Sequence, residues 1–244
     1  MNTNRQTTIK ESKMKITTPN LIRWAGLAAI GAGILYIAIQ AIHPLDVLSS
    51  VTTAQWAITH YLSIVMDLLA MLGIAGLYAR QVEKSGWLGL AGYLLFSLFW
   101  AFSMAFHFTE AFISPAVANV APKFAEGLLG VVTSTPGEIS LGALPTVYMV
   151  TGIAGYLLGG LLFGIATFRA GILPRWAGAL LTLGTLLPIL GSSLVQHPYD
   201  RIFAVPVGLA LAWLGYALWS ERREQVSEPM LGSAIPQVIP AAVK

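Results

Sequence analysis

The sequence predicts an all-α integral membrane protein, a bundle of six transmembrane helices with both termini in the cytoplasm. Three observations predict it: an apolar composition, six long apolar segments, and an unequal distribution of basic residues. Of the 244 residues, 56% are hydrophobic and only 10% are charged, and the mean hydropathy is +0.71. Soluble domains carry roughly 25% charged residues. This chain therefore lacks the residues for a fully hydrated surface.

Six apolar segments are each long enough to cross a bilayer, which takes about 20 helical residues. They are residues 22–43, 56–79, 87–109, 146–168, 176–196 and 202–220. Helices are required there, because a span in lipid must satisfy its own backbone hydrogen bonds. The chain thus divides into a disordered tail, a transmembrane domain and a second disordered tail, at residues 1–20, 21–222 and 223–244.

The outer loop, residues 110–145, is the longest connection of the predicted bundle. A loop of this length with no structure of its own would be unusual in a compact protein. Within it, residues 121–132 mix apolar and charged side chains at near-helical spacing. We expect this stretch to lie flat on the membrane or over the end of the bundle.

Lysine and arginine residues define the orientation, because cytoplasmic loops carry an excess of them. Twelve of the fourteen fall on the side that holds the termini, and only Lys123 and Arg201 fall on the other. The sequence therefore predicts cytoplasmic termini. Tryptophans are expected at the two interfaces, with Trp56 at the outer one and four at the inner one, namely Trp24, Trp87, Trp176 and Trp219.

All four histidines lie at the outer ends of the apolar segments. Three carry an acid three residues later, in the pairs His43 and Asp46, His107 and Glu110, and His197 and Asp200. His60 instead shares a helical face with Asp67, seven residues later. Asp67 lies well inside an apolar segment, where an unpaired charge would cost roughly 2.5–3.5 kcal/mol. We therefore expect Asp67 to be paired, hydrogen-bonded or protonated.

These residues predict a ligand site at the extracytoplasmic face. Its candidate members are His43, His60, Asp67, His107, Glu110, His197 and Asp200. Imidazole with carboxylate also suits a divalent metal, for which His60, His107 and Glu110 are the candidate ligands. The alternative interpretation is that the acids are hydrated loop residues and the histidines are interface anchors.

Several kinds of chemistry are excluded. The chain has no cysteine, which rules out disulfides, cysteine-ligated iron–sulfur clusters and covalently attached c-type haem. No nucleotide-binding loop, GxSxG elbow or HExxH motif occurs. The basic residues form short clusters beside the spans, so the lipid bilayer rather than nucleic acid is the expected partner.

The leading functional interpretation is a non-enzymatic membrane protein that binds a small polar ligand or a metal at its outer face. Two alternatives remain open. One is an intramembrane enzyme, resembling a metal-dependent hydrolase, that uses the same residues. The other is an accessory or scaffold subunit with no site. Convergence of the histidines and acids would favour a site, whereas splayed side chains would favour the scaffold.

The odd-numbered segments resemble one another, which predicts three repeated helical hairpins at residues 21–80, 86–169 and 174–222. The first and fifth segments both begin with Arg-Trp-Ala-Gly and end with His-Pro-x-Asp. Glycines of the fourth segment lie on two faces between residues 152 and 164. Small residues at such spacing allow close helix packing in membranes. These faces are expected to hold a partner helix or a second copy of the chain.

One stretch carries a resemblance to a known group. The run YLLGGLLFGIATFRAGILPRWAGALLTLGTLL, residues 156–187, resembles bacterial six-span membrane proteins classed as domains of unknown function. The shared pattern is a glycine-rich span, a basic loop with a Leu-Pro-Arg-Trp turn, and another span. The resemblance implies a location in the bacterial cytoplasmic (inner) membrane. It implies no catalytic residues.

The predicted topology is testable with a reporter enzyme that is active only outside the cytoplasm. We expect a fusion at the C-terminus to be inactive and a fusion within residues 110–145 to be active, because the basic residues retain the termini inside. An active C-terminal fusion would contradict this orientation.

Overall fold

The computed structural model describes residues 17–133, 135, 137–191, 194–196 and 198–227, with the side chains of 222–227 left out. These residues form helices and no strand. The α-helices are α1 (Thr18–Ile42), α2 (Leu48–Val51), α3 (Ala54–Phe108), α4 (Ser114–Val117), α5 (Pro122–Thr133), α6 (Leu144–Val150), α7 (Gly160–Ala170), α8 (Arg175–Gly191) and α9 (Val205–Ser227). Two π-helical segments (Thr109–Ile113 and Thr151–Gly159) and one 3₁₀ helix (Tyr199–Ala204) complete the described elements.

Four apolar helical stretches are long enough to cross a membrane. They are Thr18–Ile42, Ala54–Val117, Leu144–Ala170 and Tyr199–Glu221, and Arg175–Gly191 is a shorter apolar helix. Large apolar side chains in the middle of these stretches are between 44% and 59% exposed, among them Ile34, Leu68, Leu94, Leu158, Leu183 and Leu209. Soluble proteins rarely expose contiguous apolar surface on this scale. The exposed surface is the kind that a bilayer covers.

The longest helix, α3, reverses its direction at Gly86. Gly86 has φ 56° and ψ −156°, a left-handed conformation that glycine adopts without a Cβ penalty. On either side of it, the rings of Tyr78 and Tyr93 stack with their centroids 4.6 Å apart. α3 therefore consists of two antiparallel arms, which we call the first arm (residues 54–85) and the second arm (residues 87–108). The sequence predicted a longer connection, residues 80–86, but a single glycine suffices for the reversal.

Consecutive helices pack against each other, and α1 closes the arrangement by packing against both the first arm and α9. Glycine permits the closest of these contacts. A Cβ at Gly33 of α1 would clash with the carbonyl oxygen of Gly208 in α9, and one at Gly164 would lie 2.7 Å from the carbonyl oxygen of Gly178. In the absence of a hydrophobic drive between helices in lipid, such close approach supplies the dispersion contacts that hold them together.

The glycine faces between residues 152 and 164 are largely occupied within the chain. Gly155 and Gly159 contact the second arm, and Gly164 contacts α8, whereas the Cβ position of Gly152 has no atom within 4 Å. A homo-oligomer through these faces stays a prediction, for which Gly152 offers the open space.

The predicted outer loop is largely helical and folds over one end of the bundle. Ala125 and Leu129 of α5 pack with Val51, Trp56 and Ala118 in a small apolar cluster. Trp56 is fully buried there. Its assignment as an outer-interface anchor was wrong, because the α5 segment covers the position that the sequence assigned to the membrane surface.

Helix ends differ from the predicted ones. α1 begins at Thr18, where the Thr17 hydroxyl accepts a hydrogen bond from the Asn20 amide, so part of the predicted tail 1–20 is helical. α9 continues to Ser227, into the predicted tail 223–244, and α8 ends at Gly191 rather than 196. The rest of both tails lies outside the described residues. The three-hairpin repeat stays a prediction.

The close approach of α1 and α9 predicts the effect of one added methyl group. Gly33→Ala should lower the free energy of unfolding by about 1–3 kcal/mol, because overpacking forces the two backbones apart. Gly152→Ala is the matched control, and we expect a change within about 0.5 kcal/mol because its Cβ enters open space. Chemical denaturation in detergent micelles measures both. Equal effects of the two substitutions would contradict the packing described here.

Candidate functional site

One histidine–carboxylate pair connects the two arms of α3. The Nδ1 atom of His107 lies 2.6 Å from Oδ2 of Asp67, within hydrogen-bonding distance. The Asp67 side chain is completely buried and that of His107 is 21% exposed. Asp67 thus has the partner that an acid inside an apolar helix requires.

A second pair joins His60 of the first arm to Glu110, just beyond the end of the second arm and nearer to the end of the bundle that α5 covers. Nε2 of His60 is 3.3 Å from Oε2 of Glu110, although the angle is not that of a hydrogen bond. Nδ1 of His60 lies 2.7 Å from the backbone oxygen of Trp56. A carbonyl oxygen can only accept, so Nδ1 carries a proton. Nε2 makes no hydrogen bond, and its ion-pair partner is the Glu110 carboxylate.

The hairpin explains why these pairs form. The sequence places His107 with Glu110, and His60 with Asp67, on common helical faces, and it predicts that the two spans are antiparallel neighbours. In the structure the pairs form across the hairpin, because antiparallel arms bring positions about equally far from Gly86 to the same depth. At least two of His60, Asp67, His107 and Glu110 were expected within hydrogen-bond reach, and the structure places His107 and Asp67 at that distance and His60 beside Glu110.

Trp56 fixes the geometry of the second pair. Its indole Nε1 donates a 2.8 Å hydrogen bond to the backbone oxygen of Glu110, and its ring lies 4.1 Å from that of His60, centroid to centroid. Glu110 belongs to the π-helical segment Thr109–Ile113. Such segments change the backbone hydrogen-bonding register and often occur at functional sites. Trp56 is not among the site residues predicted from the sequence. The feature that could have identified it is its position one helical turn before His60.

His43 joins the cluster from the end of α1. Its ring centroid lies 5.2 Å from that of His60. The adjoining backbone is held by Arg201, whose guanidinium donates to the carbonyl oxygen of His43 at 2.9 Å and to Oδ2 of Asp46 at 2.7 Å. The side chains of Asp46 and Arg201 are only 3% and 13% exposed. The interpretation of Asp46 and Glu110 as hydrated loop residues was therefore wrong.

Two predicted members are not placed in these pairs. Asp200 precedes Arg201 in the 3₁₀ helix Tyr199–Ala204 and is partly exposed. His197 lies outside the described residues. The cluster is therefore defined here by His43, Trp56, His60, Asp67, His107 and Glu110.

Metal binding has no preformed geometry in the part of the chain that the structure describes. No group of three or more His, Cys, Asp or Glu side chains there is placed to hold a metal ion. His107 and His60 approach different carboxylates, Asp67 and Glu110. The metal set of His60, His107 and Glu110 stays a prediction.

A serine lies beside the first pair. Ser103 Oγ is 3.5 Å from Nδ1 of His107, the same nitrogen that contacts Asp67. In a Ser-His-Asp triad, the serine and the acid use opposite ring nitrogens, so that the imidazole can accept the serine proton. The arrangement around His107 is therefore not that of a nucleophilic triad.

Comparison with known proteins gives no indication of the function. No protein-family model, curated protein or solved structure matches the chain. The resemblance of residues 156–187 to a group of bacterial membrane proteins stays an expectation.

Proposed function

We propose that the chain is a non-enzymatic, six-span protein of the bacterial inner membrane that binds a small polar ligand at its extracytoplasmic end. The ligand site is the cluster around Asp67 and His107. Two observations support six membrane spans, although only four apolar helical stretches are long enough by themselves. The two arms of α3 are antiparallel, so they would cross separately. α8 has 17 residues, about 26 Å of helix, which is at the lower limit for a span.

The observation that carries the proposal is a buried carboxylate oxygen without a hydrogen-bond partner. Oδ1 of Asp67 makes no hydrogen bond. A buried polar atom left unsatisfied costs about 1–3 kcal/mol, and native proteins contain few of them. The second histidine–carboxylate pair lies close by, since the rings of His60 and His107 are 6.2 Å apart. A ligand that carries hydrogen-bond donors would satisfy Oδ1 of Asp67.

The enzymatic and scaffold alternatives are less well supported. Asp67 occupies the nitrogen of His107 that Ser103 approaches, which disfavours nucleophilic catalysis. A scaffold role was expected to leave the histidines and acids splayed, whereas four of them converge between the arms. The basic-residue asymmetry, in turn, supports cytoplasmic termini and an outer position for the cluster.

Binding of methylammonium, a small cation that carries N–H hydrogen-bond donors, tests the proposal. Methylammonium chloride should raise the unfolding temperature of the detergent-purified protein, because a ligand at 100 times its Kd stabilises the folded state by about 2.7 kcal/mol. Tetramethylammonium chloride, which has the same charge and no N–H, should give no comparable rise at equal concentration.

Two substitutions show whether the stabilisation by methylammonium arises at the proposed site. Asp67→Asn should abolish the stabilisation by methylammonium because it removes the charge of the acceptor. Glu138→Gln should retain it, since Glu138 is an exposed acid paired with Lys123 in the outer loop. An equal response to both salts, or an undiminished response of Asp67→Asn, would overturn the proposed site.

A further inference from the structure

An open cavity lies at the end of the bundle where α3 reverses, opposite to the histidine cluster. We call it the inner cavity. It has a volume of about 420 Å³, which is typical of small-molecule sites, and its lining residues are 171–175 in the turn from α7 to α8, with Ala217, Ser220 and Glu221 of α9. In the proposed orientation this end faces the cytoplasm, so the inner cavity lies at the level of the head groups of the inner leaflet.

Arg175 is a cation of the inner cavity without an acidic partner. Its side chain is exposed, and its guanidinium lies over the turn, where a Cβ added at Gly171 would be 2.9 Å from Nε. Gly171 has φ 63°, a left-handed conformation that ends α7. None of the described residues forms an ion pair or a hydrogen bond with the Arg175 side chain. Its N–H donors therefore remain available to a ligand.

The acid that lines the inner cavity, Glu221, does not neutralise Arg175. Its carboxylate is paired with Arg80 instead, with Nε 2.7 Å from Oε2. The other charged side chains described at this end are Arg23, Lys84, Arg169 and Glu83. Basic residues therefore outnumber acids here, and the resulting positive potential attracts anions. A guanidinium binds phosphate well, because its planar fork donates to two oxygens at once.

Apolar surface continues from the inner cavity toward the middle of the bundle. Trp176, next to Arg175, is 72% exposed, and Leu183, seven residues later on the same face of α8, is 59% exposed. On α9, Trp213 shares a face with Ser220 and is 45% exposed. Tryptophan is enriched where acyl chains meet head groups. A ligand with its head group in the inner cavity would therefore have apolar side chains beside its tail.

We infer that the inner cavity binds the phosphate of an anionic phospholipid from the inner leaflet. The guanidinium of Arg175 contacts the phosphate oxygens, and the acyl chains lie along the exposed faces of α8 and α9. A zwitterionic lipid is a poorer match, because its head group brings a cation to a region that already carries excess positive charge. The choice of leaflet rests on the orientation in the proposed function, whereas the site itself is independent of the ligand at the histidine cluster.

Phosphatidylglycerol and phosphatidylcholine with the same acyl chains differ in net charge and test the inference. Each is titrated into the full-length protein in detergent micelles, and the unfolding temperature is measured. We expect half-maximal stabilisation by phosphatidylglycerol at a concentration at least about fivefold lower, because one basic residue near anionic lipid favours it by about this factor. Inorganic phosphate at the same concentrations should not change the unfolding temperature, since it has no acyl chains.

Three substitutions show whether the preference arises in the inner cavity. Arg175→Gln should reduce the preference for phosphatidylglycerol to less than about twofold, because it removes the guanidinium. Ala217→Leu fills the cavity without changing the charge and should also weaken the binding of phosphatidylglycerol. Lys84→Gln is the matched control, because Lys84 is exposed at the same end of the bundle and does not line the cavity. Each variant is compared with its own unfolding temperature without lipid, which separates binding from basal stability.

Three results would overturn the inference. Equal losses in Arg175→Gln and Lys84→Gln would assign the preference to the overall positive charge of this end rather than to the inner cavity. Undiminished binding of phosphatidylglycerol by either Arg175→Gln or Ala217→Leu would exclude the site. Stabilisation by inorganic phosphate that depends on Arg175 would replace the lipid by a soluble anion. The methylammonium test concerns the opposite end of the bundle, so the failure of either proposal leaves the other intact.

Discussion

The burial of Asp67 inside an apolar helix is the constraint on which the rest of the structure depends. A carboxyl group there needs a hydrogen-bond partner at the same depth, since neither lipid nor an apolar side chain can supply one. The second arm supplies it, because the reversal at Gly86 brings His107 to within 2.6 Å of Asp67. The same reversal brings Glu110 to His60. One glycine and one buried acid therefore position four ionisable side chains.

The elements outside the hairpin complete this arrangement from the covered end. Trp56 contacts His60 with its ring, donates to the backbone of Glu110 with its indole N–H, and packs beneath α5. A displacement of α5 would thus change the surroundings of both His60 and Glu110. Arg201 acts similarly on His43, because it holds the backbone that follows α1.

The sequence predicts where the helices lie along the chain better than which face of each helix packs against its neighbours. Composition and segment length predict helices long enough for a membrane, and the placement of the histidines at one end of the segments predicts a candidate site there. The sequence predicts that the two arms are antiparallel neighbours, but not which carboxylate each histidine contacts, because each segment is apolar all round and its periodicity does not distinguish a lipid face from a packed face. The burial of Trp56 depends on where α5 folds back, which the local sequence does not specify.

The ionisable residues of this cluster are coupled across the hairpin rather than along one helix. Double-mutant cycles on the free energy of unfolding in micelles test this coupling directly, with alanine at Asp67, His107 and Glu110. Contacting residues show interaction energies of about 0.5–3 kcal/mol, and an i, i+3 pair on one helix contributes about 0.2–0.5 kcal/mol. We expect a coupling of at least about 1 kcal/mol between Asp67 and His107, and a smaller one between His107 and Glu110. The reverse order would contradict the pairing across the hairpin.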